Sequence, residues 1–197
     1  MKKGIIGAGG FGREIYWSLP LAQRVNTVFF VDDSYWDGTN PLILPLSKFN
    51  TSEYEVCVAI GDSFDRKKVV DSLPPNTKFF THIHKSVIIL DEEIKIGKGS
   101  IICAGSILTT NISLGRGVQI NLNCTVGHDV VMEDFVTLAP GVCVSGCVHI
   151  KKGAYIGTAA SIINGTVDKP LIIGEGAVIG AAACVTRDIP ANVVAVG

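Results

Sequence analysis

Charge imbalance, long apolar runs and paired cysteines are all missing from this chain. Its 197 residues include 17 Lys or Arg and 18 Asp or Glu, which gives a formal net charge of −1. Nucleic acids and anionic membrane surfaces bind through clustered positive charge, so neither is expected as the main partner. No apolar stretch reaches the roughly 20 residues that cross a bilayer, and no membrane insertion is predicted.

The six cysteines form no CxxC pair. Cys143, Cys147 and His149 have a C-x3-C-x-H spacing, but they lack a fourth nearby ligand and occupy different phases of the repeat described below. We therefore expect no metal and treat the cysteines as reduced, mostly structural thiols. Lys2 and Lys3 precede an apolar start that glycines interrupt at once, unlike a signal peptide. A cytoplasmic location is expected.

The dominant feature is an aliphatic residue or Met at every sixth position from Leu90 to Ile162, which predicts a parallel β-helix. The residue two before each of these anchors is usually small or β-branched, and the two point the same way, into the core, because side chains alternate along a strand. If three short faces make one coil, residue n lies beneath residue n+18. The anchors are Leu90, Ile96, Ile102, Leu108, Leu114, Ile120, Val126, Met132, Leu138, Val144, Ile150, Ile156 and Ile162.

Glycine directly follows many anchors, where a tight corner is expected to need unusual backbone angles. After Ile162 the period resumes at Ile173 with a shift of eleven residues. The segment from Asn164 to Pro170 carries this shift and is predicted to be a loop that leaves the prism. The post-anchor glycines are Gly97, Gly115, Gly127, Gly157, Gly174 and Gly180.

The first part of the chain has a different pattern, that of a nucleotide-binding α/β fold. A G-x-G-x-x-G motif, Gly7 to Gly12, stands between a predicted strand over 4–7 and a predicted helix over 13–19. Glycines there allow close approach to a phosphate, which the helix N-terminus favours. A second strand over 27–31 ends in Asp32 and Asp33, where a carboxylate can bind a ribose hydroxyl. A third, over 54–60, leads to Gly61 at the same predicted crevice.

Further elements complete this domain: a helix over 63–73 and a strand over 78–82. Fewer than ninety residues supply about one half of a dinucleotide fold, so a mononucleotide diphosphate such as a nucleotide-sugar is favoured over NAD. The sequence thus predicts a Rossmann-like α/β half-domain over 1–84 and an all-β parallel β-helix over 85–197.

His128 is the leading candidate for catalysis. It lies two positions past the anchor Val126, at a corner that points outward, and counting by eighteen places Gly146 beside it in the next coil. Because Gly146 has no side chain, a slot opens next to the imidazole, which suits a general base near neutral pH. The adjacent Asp129 is the candidate for orienting the ring. His82 and His84, in the junction between the domains, are predicted to be structural or substrate-contacting, and His149 is predicted to be a surface residue.

These residues together resemble a known family, the left-handed β-helix (hexapeptide-repeat) sugar acetyltransferases of the sialic acid, bacillosamine or perosamine biosynthesis type, with an N-terminal nucleotide-sugar-binding domain. The resemblance covers essentially the whole chain. It rests on the hexads and on G-A-G-G-F-G at 7–12, V-D-D at 31–33, A-I-G-D at 59–62, G-H-D at 127–129 and V-T-R-D-I-P at 185–190.

The resemblance implies acetyl-CoA as donor and a homotrimer with its active site between neighbouring prisms. It assigns the general base to His128 and the assisting acid to Asp129. Some relatives have a second His nine residues after the catalytic one, where this chain has Thr137. The implied nucleotide-sugar contacts are Gly9, Gly10, Asp32, Asp33 and Gly61. The implied CoA contacts are Gly146, Thr158, Gly180 and Ala181.

The predicted function is therefore acetyl-CoA-dependent N-acetylation of a nucleotide-linked 4-amino-4,6-dideoxy sugar in bacterial glycan biosynthesis. O-acetylation of sialic acid or a related sugar is an alternative, because a hydroxyl nucleophile needs the same base. A non-catalytic nucleotide-binding trimer is an alternative of another class. An NAD-linked oxidoreductase is disfavoured, since nothing in the coils supplies a site for hydride transfer.

Overall fold

A computed structural model describes residues 1–197 and shows an open α/β sheet followed by a prism of parallel coils. The open sheet has five parallel strands in the order β3-β2-β1-β4-β5. Its strands are β1 (Lys2–Ile6), β2 (Thr27–Val31), β3 (Ile43–Pro45), β4 (Tyr54–Val58) and β5 (Lys78–Phe79). Its helices are α1 (Gly10–Ser18), α2 (Leu21–Arg24) and α3 (Ser63–Ser72), with 3-10 turns at Asp33–Tyr35 and Leu46–Lys48.

The central strands form because their apolar residues are buried on both sides of the sheet, as in other parallel sheets. Ile5, Phe30 and Val56 are fully buried. The strand β3 was not predicted. It is a short edge strand that ends in Pro45. Proline has no backbone N–H, and an edge strand tolerates this because no neighbouring strand needs that donor.

The prism has three parallel faces. Face 1 contains β6 (His82–Ile83), β9 (Ile101–Ile102), β12 (Gln119–Ile120), β15 (Thr137–Leu138), β18 (Tyr155–Ile156), β21 (Val178–Ile179) and β23 (Val194–Ala195). Face 2 contains β7 (Ile88–Ile89), β10 (Ile107–Leu108), β13 (Thr125–Val126), β16 (Cys143–Val144), β19 (Ser161–Ile162) and β22 (Cys184–Val185). Face 3 contains β8 (Lys95–Ile96), β11 (Ser113–Leu114), β14 (Val131–Met132), β17 (Val148–Ile150) and β20 (Leu171–Ile173).

The register of eighteen residues per coil is confirmed: Val126 pairs with Leu108 on one side and with Val144 on the other. Anchors and the residues two before them fill one apolar core of 26 buried residues. The fold of this part of the chain is a left-handed parallel β-helix. The predicted first anchor is wrong. Ile89, not Leu90, pairs with Leu108, and Leu90 is 66% exposed, because the first coil contains one extra residue.

The corners correct the expected role of the post-anchor glycines. Positive φ occurs three residues after an anchor, for example at Gly117 and Asp129, and not at the post-anchor glycines themselves. Those glycines are required by close approach of successive coils, since a Cβ on Gly97 would lie 2.3 Å from the carbonyl of Gly115. The segment predicted to loop out, 164–170, contains no strand, and face 3 resumes at β20.

The two architectures meet at residues 80–81. The single strand predicted over 78–82 is two short strands, β5 and β6, and β6 pairs with β9 of face 1. The α/β domain packs along face 1, where Ile101 joins Ile5 in a shared apolar cluster. No helix of the structure is long and apolar enough to cross a membrane.

Candidate functional site

A cavity of about 780 Å³ opens at the carboxyl edge of the α/β sheet. Of the residues predicted to bind a nucleotide-sugar, Gly9 and Asp32 line it. Lys68 and Tyr35 also line it, and no role was predicted for either residue. A cationic amine, a carboxylate and an aromatic ring around one cavity suit a ligand with phosphate, hydroxyl and planar groups.

The glycine motif divides into two pairs with different reasons for being glycine. A Cβ on Gly12 would lie 1.9 Å from the Gly7 carbonyl oxygen, and Gly7 has a φ of +107°, so both are required by the protein's own backbone. A Cβ on Gly9 or Gly10 would meet nothing within 4 Å. Glycines with open space above them, at an α1 N-terminus without a side-chain cap, leave room and free N–H groups for an anion.

The two acids after β2 have separate surroundings. Asp32 accepts hydrogen bonds from the Ser34 hydroxyl at 2.6 Å and the Ser34 N–H at 3.0 Å, which lower the pKa of its carboxyl. Asp33 accepts from the N–H of Ser47, and hydrogen bonding to Ser47 lowers its pKa too. Asp32 lines the cavity and Asp33 does not. The structure thus separates two carboxylates that the sequence placed together.

Gly61 does not line the cavity, and its carbonyl faces the prism. Its carbonyl accepts hydrogen bonds from the Arg66 guanidinium at 3.1 Å and from the Thr137 hydroxyl at 3.0 Å. Thr137 is fully buried and also contacts Ser63, so the position at which some relatives carry a second His belongs here to the contact between the domains. Gly10 likewise does not line the cavity.

Arg66 is the centre of this contact and has 1% of its surface exposed. Its nitrogens donate to the carbonyls of Gly117, Ile60 and Phe135 at 3.0, 2.7 and 2.7 Å, and to the Gln119 amide oxygen at 2.9 Å. All its acceptors are neutral, and burial lowers the pKa of Arg66 to about 10. This role was not predicted; the available signal was an Arg on the face of α3 that must pack inward.

His128 stands at the corner between β13 of face 2 and β14 of face 3. Val126 is directed into the core, so the chain turns outward at His128 and closes the corner at Asp129, which has a φ of +59°. A non-glycine residue tolerates this conformation best when it is Asn or Asp. The corner geometry therefore brings the two side chains together although they are sequence neighbours.

Nδ1 of His128 lies 2.7 Å from Oδ2 of Asp129. Hydrogen bonds from His128 and from the Asn111 amide hold the pKa of the Asp129 carboxyl below its ordinary value. An ionised carboxylate only accepts hydrogen bonds, so the ring hydrogen of a neutral His128 belongs on Nδ1 and Nε2 keeps its lone pair. The contact of Asn111 with Asp129 was not predicted, although Asn111 lies eighteen residues before Asp129 and therefore one coil away.

The gap predicted beside His128 is present. A Cβ on Gly146 would lie 2.4 Å from Nε2 of His128, so glycine is what leaves space at this nitrogen. The other predicted CoA contacts are elsewhere: Thr158, Gly180 and Ala181 lie at the corner between faces 1 and 2. Within one chain the structure therefore does not bring them to Gly146.

The histidine corner is also separated from the cavity at the edge of the α/β sheet. The α/β domain packs on face 1, whereas His128 lies at the corner between faces 2 and 3, opposite to face 1. The remaining histidines are not at this corner. His82 is buried and contacts the Ser18 hydroxyl, His84 contacts Ser86, and His149 contacts Glu133.

An α/β domain with an open glycine turn, joined to a β-helix with a paired His–Asp corner, defines the class of hexapeptide-repeat acyltransferases. The profile of the PglD N-terminal domain matches residues 4–73. The GDP-perosamine N-acetyltransferase of Escherichia coli O157:H7 is 35% identical over 210 aligned positions, which cover 98% of this chain and 92% of that protein.

Two solved structures extend the likeness to the whole fold. WeeI from Acinetobacter baumannii AYE has 37% identity and a TM-score of 0.90, covering 100% of this chain and 97% of that one. The acetyltransferase domain of PglB from Neisseria gonorrhoeae FA1090, in complex with acetyl coenzyme A, has 27% identity and a TM-score of 0.87, covering 100% and 96%. The chain belongs to the family of hexapeptide-repeat sugar acetyltransferases with a PglD-type N-terminal domain.

Proposed function

We propose that this acyltransferase transfers the acetyl group of acetyl-CoA to the amine of a nucleotide-linked 4-amino-4,6-dideoxy sugar. The observation that supports this best is the His128–Asp129 pair, which leaves Nε2 unprotonated and facing the gap at Gly146. The nucleotide belongs in the cavity lined by Gly9 and Asp32.

In the proposed reaction the sugar amine attacks the thioester carbonyl directly. His128 Nε2 accepts the proton that the amine loses as the C–N bond forms, and Asp129 stabilises the resulting imidazolium. The C–S bond then breaks, and the imidazolium returns the proton to the departing CoA sulfur. The ring therefore ends the cycle neutral and ready for the next turnover.

The test is the substitution His128→Ala with a candidate nucleotide-linked amino sugar and acetyl-CoA, following the release of the CoA thiol. Turnover should fall by about 10² or more while the fold is retained. His149→Ala is the matched control, because His149 lies on β17 of face 3 and its ring contacts Glu133. Turnover of His128→Ala close to that of the wild type would remove the assigned base, and faster transfer to sialic acid hydroxyls would favour O-acetylation.

We further propose that the working unit is a homotrimer in which the nucleotide site of one chain serves the His128 of another. Support comes from the placement of His128 opposite the face that carries the α/β domain. In such a trimer Gly146 of one prism and the corner at Thr158 of its neighbour would form the groove for CoA.

Subunit mixing tests the shared site. His128→Ala chains and chains with Asp32→Ala should each be inactive, yet mixed trimers formed by refolding them together should regain turnover. Recovery is expected because one chain contributes an intact nucleotide cavity and another an intact base. A mixture as inactive as the separate variants would place both groups in one chain's site.

A further inference from the structure

Three potential metal ligands of different chemistry converge at the histidine corner. They are His128, Asp129 and Cys147, and their ligand atoms all lie within 4.8 Å of one another. Nδ1 of His128 is 2.7 Å and Sγ of Cys147 is 3.9 Å from the same carboxylate oxygen, Oδ2 of Asp129. Cys147 arrives there because it lies eighteen residues after Asp129, in the next coil.

The spacing of these atoms is close to that of a zinc site. Zn²⁺ binds imidazole nitrogen and carboxylate oxygen at about 2.0 Å and thiolate sulfur at about 2.3 Å, so neighbouring ligand atoms of a tetrahedron lie roughly 3.3–3.8 Å apart. The 2.7 and 3.9 Å separations fall on either side of this range. A mixed N, O and S set is also the chemistry that Zn²⁺ prefers.

The surroundings hold the ligands in place and leave an approach open. Asn111 donates a hydrogen bond to Oδ1 of Asp129, which orients the carboxylate as outer partners orient metal ligands. Cys147 is 5% exposed, whereas the His128 side chain is 59% exposed.

We propose that this corner is an inhibitory binding site for Zn²⁺, held by Nδ1 of His128, a carboxylate oxygen of Asp129 and Sγ of Cys147, with a water as fourth ligand. Binding displaces the thiol proton of Cys147 to solvent and moves the ring hydrogen of His128 from Nδ1 to Nε2. The nitrogen that would accept the substrate proton becomes a donor, so acetyl transfer stops. Only this inhibition rests on the proposed role of His128; the metal site itself does not.

Binding is tested with Co²⁺ as a spectroscopic stand-in for Zn²⁺ on the full chain, and with Zn²⁺ by calorimetry. Cys143 and Cys184 are exposed, so both are first changed to Ser to remove competing thiols. In this background a thiolate-to-cobalt charge-transfer band should appear with one ion per chain. Adding Cys147→Ser should abolish the band and weaken Zn²⁺ binding at least roughly tenfold.

A band that survives Cys147→Ser, or no band in the background protein, overturns the site. Zn²⁺ should also inhibit acetyl transfer by the background protein, and Cys147→Ser should raise the inhibitory concentration at least roughly tenfold. If the band is present and acetyl transfer is unaffected, the metal site stands and the role of His128 as base falls. The two failures are therefore distinguishable.

Discussion

Replacing Arg66 by Met should weaken the attachment of the α/β domain to the prism more than any surface change. The guanidinium is buried and donates to five backbone carbonyls, those of Ile60, Gly61, Gly117, Phe135 and Val136. Each buried acceptor left without a donor costs about 1–3 kcal/mol. Met fills similar space and recovers part of this loss, since the wild type buries a charge among neutral acceptors only.

The net expectation is a loss of about 4 kcal/mol in the free energy of unfolding, which lowers the Tm by roughly 10 °C in a chain of this size. Thermal unfolding followed by circular dichroism measures the loss. Hydrogen exchange should show faster exchange at residues 117–119 and 135–137, because these lie beneath the guanidinium. Arg66→Lys should be intermediate, since an ammonium has three donors in place of five.

The matched control is Lys67→Met. Lys67 is the next residue on α3, is partly exposed and pairs only with Asp71, so its removal should change stability by less than about 1 kcal/mol. If Arg66→Met has the same Tm as the wild type and an unchanged exchange pattern, the guanidinium does not hold the domains together.

Three further predictions concern single side chains. Burial lowers the pKa of His82 from 6.5 to about 4, so the unfolded chain binds the proton first as the pH falls. The free energy of unfolding should therefore fall between pH 6.5 and pH 4, by at most roughly 3 kcal/mol. Denaturation at several pH values should show a flatter profile for His82→Gln. Gly146→Ala should reduce turnover at least tenfold by filling the space at Nε2 of His128, yet leave the Tm within about 3 °C, because an exposed ring can swing aside; unchanged kinetics would contradict this. Gly9→Ala should weaken nucleotide-sugar binding in calorimetry without loss of stability, whereas Gly12→Ala should destabilise the fold; equal melting losses would refute the distinction.

The periodic part of the fold was predictable because its information is local and repeated. Each hexad specifies an inward anchor, and eighteen residues close a coil, so the pairing of Val126 with Val144 followed from counting. The error at Leu90 has a physical reason: the first coil contains one extra residue, and no coil precedes it to enforce the register. The role of the post-anchor glycines was also misjudged, since close approach between coils is a tertiary property.

The histidine corner was predictable in part. Counting placed Gly146 beside His128, and the structure shows that contact. Counting by eighteen from Asp129 leads to Asn111 and Cys147. The C-x3-C-x-H pattern does not show this, because it relates Cys147 only to residues close to it along the chain. The approach of Cys147 to Asp129 crosses from one coil to the next, which local spacing does not represent.

The sequence by itself determined the β-helix, its register, the glycine turn and the outward direction of His128, because each follows from side-chain periodicity or backbone sterics within a few residues. Only the tertiary structure decided which face of the prism carries the α/β domain. That choice depends on contacts between residues far apart in the chain, among them the buried guanidinium that joins α3 to β12 and β15 across more than fifty positions. It also decided that the cavity of the α/β domain and the histidine corner lie on opposite sides of one chain.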